Sequence, residues 1–340
     1  MRIVALLCLL LASALAAPAA AEPLLVAVSI PPQKYFVQKL GGTLVEVLVL
    51  VDKGDAHTYE PKPRQMAALS RASVYFALGL EFERPWLPRF RAANPGLHIV
   101  YTDAGIEKLP VLLSMAGVEL PAEPLPEHGH QTADTQHGHE TATTDHGHAA
   151  TTDHGHDAAA PPHGHGHDHA GGLDPHIWLS PALVKIQART MAEALAEADP
   201  AHAVEYRYNL TAFLAEIDEL DQQIRALLAP LPLQRRRFLV FHPSWGYFAR
   251  DYGLTQLAIE AHGKEPSPGE LGRVIEAARQ AAVSTVFVQP QTSSRNAETI
   301  ATAIDARVVR LDPLAEDWTR NLLEAARAFQ TALASDSGRL

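Results

Sequence analysis

The stretch AHAVEYRYNLTAFLAEIDELDQQIRALL, residues 201–228, reads as one uninterrupted amphipathic helix. Val204, Leu210, Phe213, Leu214, Ile217, Leu220, Ile224, Leu227 and Leu228 recur at spacings of three and four, the period that lines one helix face. At 1.5 Å per residue this makes a rod of about 42 Å. That length suits a connector between two domains; a long core helix within one domain is the plain alternative. The sequence on either side favours the connector.

Before it, short β-branched runs at 24–29, 45–51, 73–78 and 97–101 alternate with helical patterns at 33–40, 63–70 and 83–93. Ser180 and Pro181 then start a helix that runs to about 198, where Asp199-Pro200 breaks it. After the long helix the alternation resumes. Strands are expected at 237–241, 255–259, 285–288 and 308–311, and helices at 244–252, 268–281, 294–306 and 314–334. Strand–helix alternation builds a parallel sheet covered on both faces. The expected class is therefore α/β, with two similar α/β lobes, residues 22–200 and 229–340, bridged by one long helix at 201–228.

The 340 residues suffice for two domains, and 47% are hydrophobic, normal for a globular chain. A net charge of −11 gives no support for nucleic-acid binding, which wants a basic face. Residues 1–21 read as a secretory signal peptide: Arg2, an apolar run, then Ala19-Ala20-Ala21 before Glu22. The expected compartment is the bacterial periplasm. Cys8, the only cysteine, falls inside that signal, so any metal is held by His, Asp, Glu or water.

Metal is indicated by a tract at 127–172. His-Gly-His units recur every eight or nine residues and place 12 of the chain's 18 histidines there: His128, His130, His137, His139, His146, His148, His154, His156, His163, His165, His167 and His169. Imidazole is a common ligand for Zn²⁺, Cu²⁺ and Ni²⁺. The Gly, Thr, Ala and Asp between them cannot build a core, so a disordered loop carrying accessory, weak metal sites is expected. A polar linker that binds metal incidentally is the bland alternative.

In open parallel sheets, ligands bind beyond the carboxyl ends of the strands. His57 lies in the loop after the second strand, His242 follows RFLVF, Asp312 follows VVRL, and His176 precedes a helix after the long insertion. Three imidazoles and a carboxylate make a four-coordinate Zn²⁺ site, which would lie in the cleft between lobes. Asp312 is the weakest of the four, with Glu60, Glu260, His262 or water as substitutes. Asp55, Glu60 and Asp174 are near enough in sequence to orient the imidazoles. Trp178, Trp245 and Tyr247 either wall the cleft or pack in the core. His98 and His202, at the starts of a strand and a helix, are ordinary. No Gly-x-Ser-x-Gly, His-Glu-x-x-His or Cys-x-x-Cys motif occurs, and no enzyme is expected.

At these residues the sequence resembles the metal-specific (cluster A-I) solute-binding proteins of bacterial ABC importers, most closely the zinc-uptake (ZnuA-like) type. The resemblance rests on Gly54-Asp55-Ala56-His57-Thr58-Tyr59-Glu60-Pro61, Asp174-Pro175-His176-Ile177-Trp178-Leu179-Ser180-Pro181, Phe241-His242-Pro243-Ser244-Trp245-Gly246-Tyr247-Phe248, Glu265-Pro266-Ser267 and Leu311-Asp312-Pro313-Leu314. It implies two lobes bridged by a helix, ligands at His57, His176 and His242, and Asp312 where a member uses a carboxylate. It further implies delivery of Zn²⁺ to a membrane permease by a monomer, with a periplasmic zinc metallochaperone as a further partner. Ala56 replaces a frequent proline, Gln289 stands where relatives often carry Glu, and the cysteine pair of some members is missing. A His-rich loop between the first two ligands favours zinc over manganese. The competing readings are a manganese or iron importer protein, a periplasmic zinc buffer or metallochaperone, and a His₃ zinc hydrolase with Glu60 or Glu260 as base.

Overall fold

The computed structural model describes residues 22–111, save 53 and 55, and residues 172–334, save 234–235, 261–266, 282 and 292–294. The expected signal peptide, the His-rich tract with its twelve accessory histidines, Asp55 and His262 lie outside the described residues.

The first sheet holds β1 (Leu24–Val28), β2 (Val45–Val49), β3 (Val74–Ala77) and β4 (His98–Tyr101), in the order β2-β1-β3-β4 with every pairing parallel. The central strands are apolar runs buried on both faces; all four residues of β3 are buried. Parallel neighbours need crossovers, and α1 (Pro31–Gly41), α2 (Pro63–Leu69) and α3 (Glu83–Ala93) supply them. Then come α4 (Pro181–Ala198) and the long α5 (Ala203–Leu228). The second sheet holds β5 (Arg237–Val240), β6 (Thr255–Ala258), β7 (Thr285–Val288) and β8 (Arg307–Arg310), ordered β6-β5-β7-β8 and again parallel throughout. Its helices are α6 (Gly246–Tyr252), α7 (Pro268–Gln280) and α8 (Arg295–Ala303), and α9 (Trp318–Ala334) closes the chain. Both sheets thus repeat one strand order, and the two α/β lobes read from the sequence are present.

The long helix starts two residues later than expected. Pro200–His202 form a 3₁₀ turn instead, held because the Asp199 carboxylate accepts from Tyr206 Oη at 2.8 Å and lies 2.7 Å from His202 Nδ1. The buried face of α5 carries Tyr206, Phe213, Ile217, Leu220, Ile224 and Leu228. It packs against α1, α4 and α9. One continuous core runs from the first sheet through α5 to Phe238, Val240 and Phe287 on one face of the second sheet. Leu239, Phe241, Val286 and Val288 point the other way, into a smaller core beneath α7 and α8. Phe329 of α9 seals the larger core, its ring centroid 4.4 Å from Phe238 and 4.8 Å from Phe287. No helix among the described residues is long and apolar enough to cross a membrane.

Candidate metal site

His57, His176 and His242 come together. His57 stands in the loop between β2 and α2, His176 just before the 3₁₀ turn Ile177–Leu179 that leads into α4, and His242 two residues beyond β5. One ring nitrogen from each lies within 4.8 Å of the others, and they are the one such group of His, Cys, Asp and Glu found among the described residues. His57 Nε2 and His242 Nε2 are 3.2 Å apart. Tetrahedral zinc with Zn–N bonds of 2.0–2.1 Å separates its ligand nitrogens by about 3.3 Å, so this pair is spaced to share an ion.

Carboxylates back the imidazoles. His176 Nδ1 sits 2.7 Å from Asp174 Oδ1, which also accepts from the His176 backbone N–H at 2.9 Å. His242 Nδ1 sits 2.6 Å from Glu260 Oε2. Glu81 Oε2 lies 3.8 Å from His57 Nδ1. A carboxylate at Nδ1 keeps the proton there and leaves the Nε2 lone pair for a metal, while fixing the ring's direction. Burial pushes the pKa of His176 below the usual histidine value, more strongly than the Asp174 charge raises it. It therefore remains a neutral donor at neutral pH.

The local folds that hold these groups follow from short-range chemistry. Ser180 Oγ accepts from Leu183 N at 3.2 Å, which starts α4 and fixes the segment bearing His176. Tyr247 Oη donates to the Asp174 carbonyl at 2.8 Å and accepts from Leu109 N at 2.9 Å. Burial pushes that phenol up to about 12, so it stays a donor. A Cβ on Gly246 would lie 2.8 Å from Asp174 Oδ2, so a side chain there would displace the carboxylate that backs His176. The loop carrying Glu81 is wound round the buried Glu83 carboxylate, which accepts from the N–H groups of Leu78 (3.0 Å), Gly79 (2.7 Å) and Leu80 (3.1 Å), and from Ser29 Oγ.

Asp312 is not part of the group of three. Its Oδ1 accepts from Gln291 Nε2 at 2.7 Å and from Leu314 N at 2.9 Å. Glu60 is exposed and outside the group. Glu260 supports His242 rather than standing free as a base. Trp178 lines the recess with Ala56, Leu80, Gln289, Gln291 and Leu314. Trp245 is a core residue packed on Phe248 and Phe329. Sequence reasoning missed Glu81, Gly246 and Gln291; of the three nearby carboxylates that it named, Asp55, Glu60 and Asp174, the last meets a ring.

A family model for the periplasmic zinc-uptake complex component A matches residues 26–332. The chain belongs to that family. A crystal structure of ZnuA is 41% identical, with a TM-score of 0.72, and the match covers 92% of this chain and 99% of that one. A zinc-bound ZnuA deletion mutant is likewise 41% identical, with a TM-score of 0.69 over 91% of this chain and 98% of its own. The high-affinity zinc uptake protein ZnuA of Bacillus subtilis is 26% identical over 278 residues, 78% of this chain and 73% of that protein. A protein of Chlamydia trachomatis is 27% identical over 304 residues, 89% of each chain. This zinc-uptake family consists of periplasmic solute-binding proteins that work with an ABC permease, and Zn²⁺ is their cargo.

Proposed function

We propose that this protein is a high-affinity zinc carrier of the periplasm, holding one Zn²⁺ on the Nε2 atoms of His57, His176 and His242 and delivering it to the permease of an ABC importer. The observation that carries this is the pair of Nε2 atoms 3.2 Å apart, with His176 completing the group and carboxylates placed behind the rings. Three neutral imidazoles favour zinc over manganese, which prefers oxygen donors and sits low in the divalent series. Membership of a zinc-uptake family supports the same choice. Residues 1–21 direct export and are removed. The His-rich tract gathers metal weakly and raises its concentration near the cleft, and a zinc metallochaperone is a further source. The carrier acts as a monomer and carries out no reaction on its cargo.

Calorimetric titration of the mature protein with Zn²⁺ and Mn²⁺, with and without residues 127–170, tests this. One tight zinc site is expected to survive loop deletion and to disappear in His57→Ala and His176→Ala. Loss of all tight binding with the loop would refute the proposal.

A further inference from the structure

Three imidazoles leave one position of a tetrahedral zinc unfilled. The sequence offered Asp312 for it, but both bonds to Asp312 Oδ1 are made within its own surroundings. The residue that Asp312 holds is Gln291, three positions beyond β7, and Gln291 lines the same recess as His57, His176 and His242. A carboxylate only accepts, so it must take the NH₂ end of the carboxamide. That fixes which end of Gln291 is oxygen. Gln291 Oε1 is buried and has no hydrogen-bond partner. A buried carbonyl oxygen without a donor is unfavourable, and native structures keep few of them.

We propose that Gln291 Oε1 is the acceptor for the water that completes the zinc shell, and that Asp312 is its positioning residue. The inference rests on the three-histidine zinc site proposed above. A metal-bound water brings two strong donors, and Gln291 is the residue lining the recess whose carboxamide oxygen lacks one. By accepting from the Gln291 NH₂ group, Asp312 pushes electron density through the carboxamide toward its oxygen, so the acceptor is strengthened without a negative charge on the water's own partner. Gln291 thus selects for an ion that keeps one water, and Asp312 acts through it without touching the metal.

The test measures zinc affinity by chelator competition and records the d–d spectrum of the Co²⁺-loaded protein, for wild type, Gln291→Leu, Gln291→Glu and Asp312→Ala. Gln291→Leu is expected to weaken zinc by about 10-fold or more and to change the Co²⁺ band positions or intensities. Asp312→Ala should shift both readouts the same way by less, and Gln291→Glu, which keeps an acceptor, should retain the four-coordinate spectrum. Melting of the metal-free proteins checks folding; if Gln291→Leu does not fold, Asp312→Ala decides. Wild-type affinity with an unchanged Co²⁺ spectrum in the variant that decides overturns the assignment. Zinc binding that survives His57→Ala instead defeats the three-histidine site itself, and is recognisable because it does not involve Gln291.

Discussion

At the scale of single residues, the site depends on groups that never touch a metal. Asp174 Oδ1 serves both the ring and the backbone of His176. Asp174→Ala is expected to lower zinc affinity about 10–100-fold, read by chelator competition; an unchanged affinity would remove the carboxylate from the mechanism. Residue type and place in the chain singled out His57 and His242 after strands and His176 before a helix, and the structure brings those three rings together. Direction was not legible. Asp312 is a carboxylate at a strand end like any ligand, yet a two-residue turn back to Leu314 N occupies it. Glu260 is 18 residues from His242, and only the pairing of β5 with β6 brings the two together. Gly246 shows no pattern at all, since its reason is a side chain 72 residues away.

Among elements, α5 is fastened by a polar cluster as well as by its apolar face. Glu216 accepts from Lys39 of α1 (2.7 Å), from Tyr35 Oη (2.9 Å) and from Thr319 of α9 (3.2 Å). Burial pushes the Glu216 pKa up, but the bonds from Lys39, Tyr35 and Thr319 together outweigh it and hold the carboxyl below its usual value. A depressed folded-state pKa means the contribution is present above the unfolded pKa and lost as pH falls through the folded one. The group is partly exposed, so solvent screening keeps the effect small. Glu216→Gln is expected to lower the urea midpoint at pH 7, with the gap to wild type closing below the ordinary glutamate range. A gap of equal size at pH 3 would show that packing, not charge, is responsible. Element types were legible because period and breakers agree at each one. The ends were less so: 285–288 and 83–93 match to the residue, while α9 starts at Trp318 rather than 314 because the Asp312 turn uses up the intervening chain.

For the molecule as a whole, the larger core crosses from one lobe to the other without a break. Trp178 Nε1 donates to the Pro313 carbonyl at 2.7 Å, and Trp318 Nε1 donates to the Trp178 carbonyl at 2.6 Å, adding polar ties over the same junction. A hinge between separate cores allows wide closure; a shared core does not. Small-angle scattering is expected to give the same radius of gyration with and without zinc, and a marked contraction on loading would contradict the shared-core account. Phe329→Ala, which empties the contact with Phe238 and Phe287, should cost about 3–5 kcal/mol. The lobes should still unfold in one transition; two separate transitions in calorimetry would mean that the lobes are energetically independent.

The three imidazoles are unequally sheltered: the side chain of His57 is 25% exposed, against 7% for His176 and 10% for His242. In the site proposed above, His57 would therefore be the ring that an ion meets first on entry and leaves last on exit. His57→Ala is then expected to speed zinc release more than it distorts the other two rings, a difference that stopped-flow chelator capture reads.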